Sequence, residues 1–343
     1  MKQVLNTLYV QTQGSYLRLD HDTLKIDVEG KTPFQIPLHH LSGLVIFGNV
    51  LLSPFLIHRC GDDGRSIVWL TQSGRFKARL FAPTSGNVLL RRAQHAALDS
   101  ADTTLELAKY MVAGKLQNAR TVLLRNAREG AEAEVEQVIR TAARVHADAI
   151  THLPRLRYLD EVRGAEGDAA KAYFAVFDHM IRTNKDEFVF SGRNRRPPRD
   201  RVNALLSFVY GMLRNECVSA LEGVGLDPQV GFLHALRPGR PALALDLMEE
   251  LRAPLADRLV LTLINLGQVR ADGFVARPGG AVELTEESRK TVAVAYQKRK
   301  QDEVTHPVLA KPIPFGLVAH TQARLLARHL RGDVPNYRPF LYR

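Results

Sequence analysis

The feature that most constrains this chain is a change of hydrophobic period near residue 86. Before it, apolar residues come in short runs with partial alternation, the period-two pattern of strands that bury one face. Thr7-Leu8-Tyr9-Val10 and residues 16–19 and 23–28 are such runs, with turns supplied by Gln13-Gly14-Ser15 and Glu29-Gly30-Lys31. Residues 44–48 and 66–70 are more continuous apolar runs, and residues 54–59 between them suit one short helix. After Asn87, Leu105, Ala108, Met111, Val112 and Leu116 fall at helical spacing, and Ala-, Leu- and Arg-rich segments continue to about Arg331. The expected fold is α+β: a small β-rich N-terminal domain over residues 1–85 and a large, mainly α-helical domain over residues 86–343. The boundary is placed at Pro83-Thr84-Ser85-Gly86. A chain of 343 residues exceeds what one hydrophobic core usually holds, which agrees with two domains.

Within the helical part, Asp200 reads as the N-cap of a helix running to about residue 222. Pro241 suits the first position of another helix, which continues past Asp246 until Pro254 interrupts it. Residues 274–284, with Pro278-Gly279-Gly280 inside, suit a lone β-hairpin, and Thr285 caps the helix after it.

The formal net charge is +11, a surplus that points to a polyanion, with nucleic acid the first candidate. No apolar run of membrane-spanning length occurs, and no basic amphipathic anchor stands out, so no membrane partner is expected. The first ten residues lack the pattern of a secretory signal, and the expected location is cytoplasmic. Cys60 and Cys217 are far apart, which excludes zinc ribbons and C-x-x-C redox motifs. Gly30-Lys31-Thr32 resembles the end of a phosphate loop, but Lys25 stands where that motif needs its first glycine.

Three segments carry residues suited to chemistry. In the first, Glu166 lies between Gly164 and Gly167 near an expected helix start. There it either lines a site that metal or phosphate approaches closely or complements the helix dipole. In the second, His234 precedes a Pro238-Gly239 turn flanked by Arg237 and Arg240, in either a structural or a ligand role. In the third, Asp246, Glu249 and Glu250 fall at i, i+3 and i+4 of a leucine-rich helix. They form either a solvated acidic face or a buried set needing a cation. Two carboxylates and an imidazole suit Mg²⁺ or Mn²⁺ with positions left for phosphate oxygens. Five arginines lie between residues 193 and 201, either as a solvated loop or as phosphate contacts. Lys115, Asn118, Arg125 and Arg128 form a polar helical stripe, open to DNA or to pairing with Glu132, Glu134 and Glu136.

These segments together resemble the CRISPR-associated integrase family, the spacer-acquisition enzymes. The stretch from Ser191 to Tyr210, the segment Ala253-Pro254-Leu255-Ala256-Asp257-Arg258 and the order of a β domain before a helical one extend the resemblance over nearly the whole chain. The tail Arg338-Pro339-Phe340 resembles the type I-C branch. The resemblance implies that Glu166, His234 and Glu249 bind one divalent cation, Mg²⁺ or Mn²⁺, and are catalytic. Asp246 supports the site, with Glu250 the ambiguous neighbour, and Asn203 and Tyr210 project towards it. Arg193, Arg195, Arg196, Arg199, Arg237, Arg240, Lys298 and Lys311 are the DNA-binding candidates.

The activity implied is attack of a DNA 3′-hydroxyl on a phosphodiester at the edge of a CRISPR repeat. The partners implied are double-stranded prespacer and repeat DNA, a second copy of the chain joined through the β domain, a small ferredoxin-like CRISPR-associated protein completing a heterohexamer, and a prespacer-trimming nuclease. Two rivals use the same residues differently: a structure-selective nuclease cutting branched DNA without joining it, and a non-catalytic DNA-binding scaffold.

Overall fold

A computed structural model describes residues 6–74, 76–80, 88–129 and 132–342. The chain divides into two compact units, one of residues 1–85 and 284–297 and the other of residues 86–283 and 298–343. The expected boundary at Pro83–Gly86 lies outside the described residues.

In the first unit, the described residues form two four-stranded sheets. One has the order β1 (Asn6–Val10), β5 (Leu41–Phe47), β7 (Ser66–Leu70), β8 (Phe76–Arg79), with β1, β5 and β7 parallel and β8 antiparallel. The other has the order β4 (Phe34–Pro37), β3 (Thr23–Asp27), β2 (Tyr16–Asp20), β6 (Leu51–Leu52), antiparallel except for the β2–β6 pair. The helix α1 (Pro54–Asp62) starts where Ser53 accepts the Leu56 N–H at 3.2 Å and Pro54 takes the first position. Leu17 and Leu24 from one sheet, Leu44, Ile46 and Ile67 from the other, and Leu56 and Cys60 of α1 bury into one core. The alternation seen in the short runs places Leu17 and Leu24 inside. The continuous run of β5 reflects burial of nearly every residue in a parallel strand. Burial pushes the Cys60 thiol up to about 11, as an inert core thiol requires.

The second unit is built on α2 (Val88–Asp99), α3 (Ala101–Arg128), α4 (Ala133–His152), α5 (Leu159–Ala175), α6 (Arg201–Val224), α7 (Ala242–Leu251), α8 (Arg258–Asn265) and α10 (Val318–Leu330). The helix α9 (Glu286–Gln301), most of which belongs to the first unit, begins where Thr285 accepts the Ser288 N–H. The helix α3 packs on α4, α5 and α7, and Ala108, Val112 and Leu116 meet Val162, Ala169 and Leu233 there. Asp200 caps α6 by accepting the Asn203 N–H at 2.7 Å.

The α chain does break near Pro254, but not into a loop. Residues Arg252–Asp257 form a π-helical turn that leads directly into α8. The hairpin of β9 (Phe274–Ala276) and β10 (Val282–Leu284) occurs as expected. A second hairpin, β11 (Glu303–His306) with β12 (Lys311–Pro314), interrupts a stretch read as helical. Among the described residues, no helix is long and apolar enough to cross a membrane.

The burial pattern makes a prediction about the first unit. Leu17→Ala should destabilise it by about 2–5 kcal/mol, whereas Leu51→Ala, at a side chain 62% exposed, should change it by less than about 0.5 kcal/mol. Urea unfolding followed by the single tryptophan, Trp69 of β7, reads this unit directly.

Candidate functional site

The acid-rich helix α7 is not a solvated face: Asp246 and Glu250 are fully buried and Glu249 is 3% exposed. Asp246 Oδ2 accepts the backbone N–H groups of Phe232 at 2.6 Å and Leu233 at 3.0 Å. Its Oδ1 accepts the N–H of His234 at 2.9 Å and lies 2.7 Å from Nδ1 of the same residue. Among the described residues Asp246 has no Lys or Arg ion pair, so these N–H groups are what make its burial tolerable. Because a carboxylate only accepts, Nδ1 carries the proton. Nε2 is left facing Glu249 Oε1 at 3.9 Å.

Gly231 permits this arrangement. A Cβ there would stand 2.6 Å from the Ala242 carbonyl carbon and 2.7 Å from the Leu243 nitrogen, closer than packing allows. The Leu243 N–H to Pro228 C=O bond at 2.9 Å ties the same loop to the start of α7.

Glu249 lies one turn beyond Asp246. Its Oε1 accepts from Arg252 at 2.8 Å, and its Oε2 faces the Lys115 ammonium at 2.7 Å. Burial pushes this carboxyl up, but the charges of Arg252, Lys115 and His234 outweigh it and bring it down to about 2. The same ammonium pairs with Glu166. Glu166 is not at a helix start. The helix α5 begins at Leu159, so the dipole role, confined to the first turn, does not apply. A Cβ at Gly164 or Gly167 would meet nothing within 4 Å. Arg163 of α5 donates to the Leu233 C=O at 2.8 Å and holds the His234 loop against this helix.

Glu166 and Glu249 therefore meet through Lys115, and His234 faces Glu249. Among the described residues, no three His, Cys, Asp or Glu side chains are arranged to hold a metal ion as they stand. The fit to a cation is nonetheless visible: two carboxylates already share one ammonium, and Glu249 Oε2 is buried without a well-directed hydrogen bond.

A model of the family described as CRISPR associated protein Cas1 matches residues 8–298. The chain belongs to the Cas1 family. It is 56% identical over 343 residues, the full length of both chains, to a CRISPR-associated endonuclease Cas1 of Moorella thermoacetica. It is 39% identical to a CRISPR-associated exonuclease Cas4/endonuclease Cas1 fusion of Geobacter sulfurreducens, over 98% of this chain and 60% of that protein. Among solved structures, a casposase bound to integration product superposes with a TM-score of 0.82 at 23% identity, covering 97% and 93% of the two chains. A Cas6-RT-Cas1–Cas2 complex gives 0.81 at 21% identity, over 99% of this chain and 36% of that one. These structural likenesses show that the α+β fold is that of Cas1.

In this Cas1 chain Glu250 turns away from the site. It accepts from Tyr337 at 2.5 Å, from the Phe340 N–H at 2.7 Å and from Gln322 at 2.8 Å, clasping the tail to α7. Asn203 organises the arginine loop rather than the acids. It accepts from Arg193 at 2.6 Å and the Asn194 N–H at 3.0 Å, and donates to the Gly192 C=O at 2.8 Å. Tyr210 donates to Asp257 at 2.5 Å, and its ring lies under the Arg252 guanidinium at 4.5 Å, one link from Glu249.

Of the DNA-binding candidates, Arg193 is turned inward onto Asn203, Ser207 and the Tyr210 ring, so its two terminal nitrogens are engaged within the protein. Arg195, Arg196, Arg199 and Arg237 are exposed. Partial burial, then the charges of Arg237, Arg195 and Arg196, push the Arg240 guanidinium down, so these arginines crowd one region beside His234. Lys298 and Lys311 are exposed, and no contact ties them to the acids.

The α3 stripe does not form one uniform face, and Arg125 and Arg128 lie exposed on it. Lys115 belongs to the site, Asn118 is buried against the Glu250 and Phe340 carbonyls, and Arg125 pairs with Glu129. Gly231, Arg163 and Arg252 escape sequence reasoning, which names Lys115 without its partners Glu166 and Glu249; the glycine directly before the Phe-Leu-His run is the available signal for the loop.

Glu250 predicts a pH dependence. Burial raises its carboxyl to about 7 against the opposing bonds from Tyr337, the Phe340 N–H and Gln322. A carboxyl raised by folding favours the native state fully below its unfolded value near about 4.3, and loses that contribution as pH climbs through the folded value. Unfolding free energy should therefore fall between about pH 5 and pH 7.5 by on the order of 3 kcal/mol. Glu250→Gln should remove that slope in denaturant titrations.

Proposed function

We propose that this Cas1 chain is a divalent-metal-dependent DNA endonuclease and integrase, which inserts prespacer DNA into a CRISPR array. The observation that carries this reading is the fixed imidazole. Asp246 holds His234 in one tautomer and aims Nε2 at Glu249, whose other oxygen shares Lys115 with Glu166. Glu166, Glu249 and Nε2 of His234 would hold Mg²⁺ or Mn²⁺, and the chemistry such an ion supplies is polarisation of a phosphate and stabilisation of a departing 3′-oxygen.

The protein's own groups do the rest. Arg252 orients Glu249 and is itself fixed over Tyr210. Arg195, Arg196, Arg237 and Arg240 supply the positive field that neutralises strand phosphates. The incoming 3′-hydroxyl becomes the new ester oxygen as the repeat's own 3′-oxygen leaves, so one phosphodiester is exchanged for another. Water in place of that hydroxyl turns the same centre into a nuclease, the second reading, which the endonuclease name of the Moorella relative favours.

The partner assignments belong to this reading as well. The casposase structure contains an integration product, another contains Cas2, and the Geobacter relative carries a Cas4 exonuclease in its own chain. These support a DNA duplex, a small ferredoxin-like partner completing a heterohexamer, and a trimming nuclease. Phe34, Leu51 and Phe55, exposed on the first unit, suit a homodimer through the β domain. The type I-C assignment rests on the tail alone.

Labelled prespacer with a repeat-bearing plasmid tests the reaction. Joined products are expected, and cut products alone would favour the nuclease. His234→Ala and Glu249→Gln should each lower joining roughly a hundredfold or more while gel-shift affinity for the duplex changes little. Full joining by either variant would rule out the metal-holding role assigned to that residue.

A further inference from the structure

Lys115 holds the position that the proposed reaction needs for a metal. Its ammonium lies 2.7 Å from Glu249 Oε2, pairs also with Glu166, and belongs to a side chain only 14% exposed. Its place on α3 is set by close packing next door: a Cβ at Gly114 would lie 2.7 Å from Pro339 and 3.1 Å from Glu250. Glu249 is buried and anionic, and among the described residues one of its two oxygens has Arg252 and the other only this ammonium. A buried carboxylate stripped of its cation is costly, so Lys115 keeps the acids together. An ammonium and a divalent cation cannot share the same two oxygens, because their repulsion at such distances is large.

We propose that Lys115 is an internal counter-ion that closes the metal site until a DNA phosphate draws it away, so that metal and DNA bind cooperatively. The ligand class is the phosphodiester. Its anionic oxygen gives the ammonium a new partner within reach of a flexible four-carbon stem, in a region where Arg195, Arg196, Arg237 and Arg240 gather. Each partner that binds then strengthens the other by the same factor.

This inference rests on the metal-dependent reading, and one experiment separates the two. Mn²⁺ binding is titrated by EPR on the full chain with and without a short duplex, after subtraction of the duplex alone. Wild type should bind Mn²⁺ weakly without DNA and roughly tenfold or more tightly with it. Lys115→Met should bind Mn²⁺ roughly tenfold more tightly without DNA and lose most of the DNA effect. Its melting temperature without metal should drop and recover on adding Mn²⁺. Lys115→Arg, which keeps the charge, should bind Mn²⁺ no more tightly than wild type, and covers the case in which the Met variant fails to fold.

Unchanged or weaker binding by Lys115→Met, or tenfold tighter binding by Lys115→Arg, would overturn the counter-ion proposal alone. Absence of Mn²⁺ binding by wild type with DNA present would overturn the metal-dependent reading and this proposal with it.

Discussion

The site depends on one buried carboxylate. Asp246 accepts three successive backbone N–H groups and lies against the His234 imidazole, so a loop and a helix are locked by an anion that has no Lys or Arg partner among the described residues. Donors of this kind do not reorganise when a ligand arrives. The imidazole is therefore fixed in direction and in tautomer before any substrate is present. Gly231 is the steric condition for this lock, and Arg163 carries it on to α5, the helix that bears Glu166.

Around that lock, charge is balanced in layers. Glu249 is held anionic by Arg252 and Lys115, and Arg252 lies over Tyr210, whose hydroxyl binds Asp257. Burial pushes the Asp257 carboxyl up, with Tyr210 and Arg252 working against it. The π-helical turn at Arg252–Asp257 is what brings Arg252 and Asp257 to the same tyrosine, and such turns recur where a helix must re-aim side chains for function. On the other side, Glu250 uses the tail as its solvent, so neighbouring acids on one helix serve separate purposes.

Much of this was legible in the sequence because periodicity and capping are local. The change of period, the Asp200 cap, the hairpin around Pro278-Gly279-Gly280 and the three acid and histidine segments are each written in a few adjacent residues. What escaped is non-local or marginal. Sequence proximity offers the Lys115 stripe the acids Glu132, Glu134 and Glu136, while the partners of Lys115 lie on α5 and α7. The hairpin at residues 303–314 carries Pro312 and Pro314 in its second strand, which local rules read as breaks, and β6 is only two residues long. The glycines around Glu166 suggest a helix start there, whereas α5 starts at Leu159, where Glu161 accepts the Tyr158 N–H at 3.0 Å. Whether acidic residues on a leucine-rich helix face water or one another depends on what packs against them, and periodicity does not carry that information.

The most direct test of the account is the position of a single ion. Anomalous diffraction from crystals of the DNA-bound chain in Mn²⁺ should show one peak, about 2 Å from oxygens of Glu166 and Glu249 and from Nε2 of His234, with the Lys115 ammonium turned to a phosphate. A DNA complex with Lys115 still bridging the two carboxylates, and manganese bound elsewhere, would contradict it.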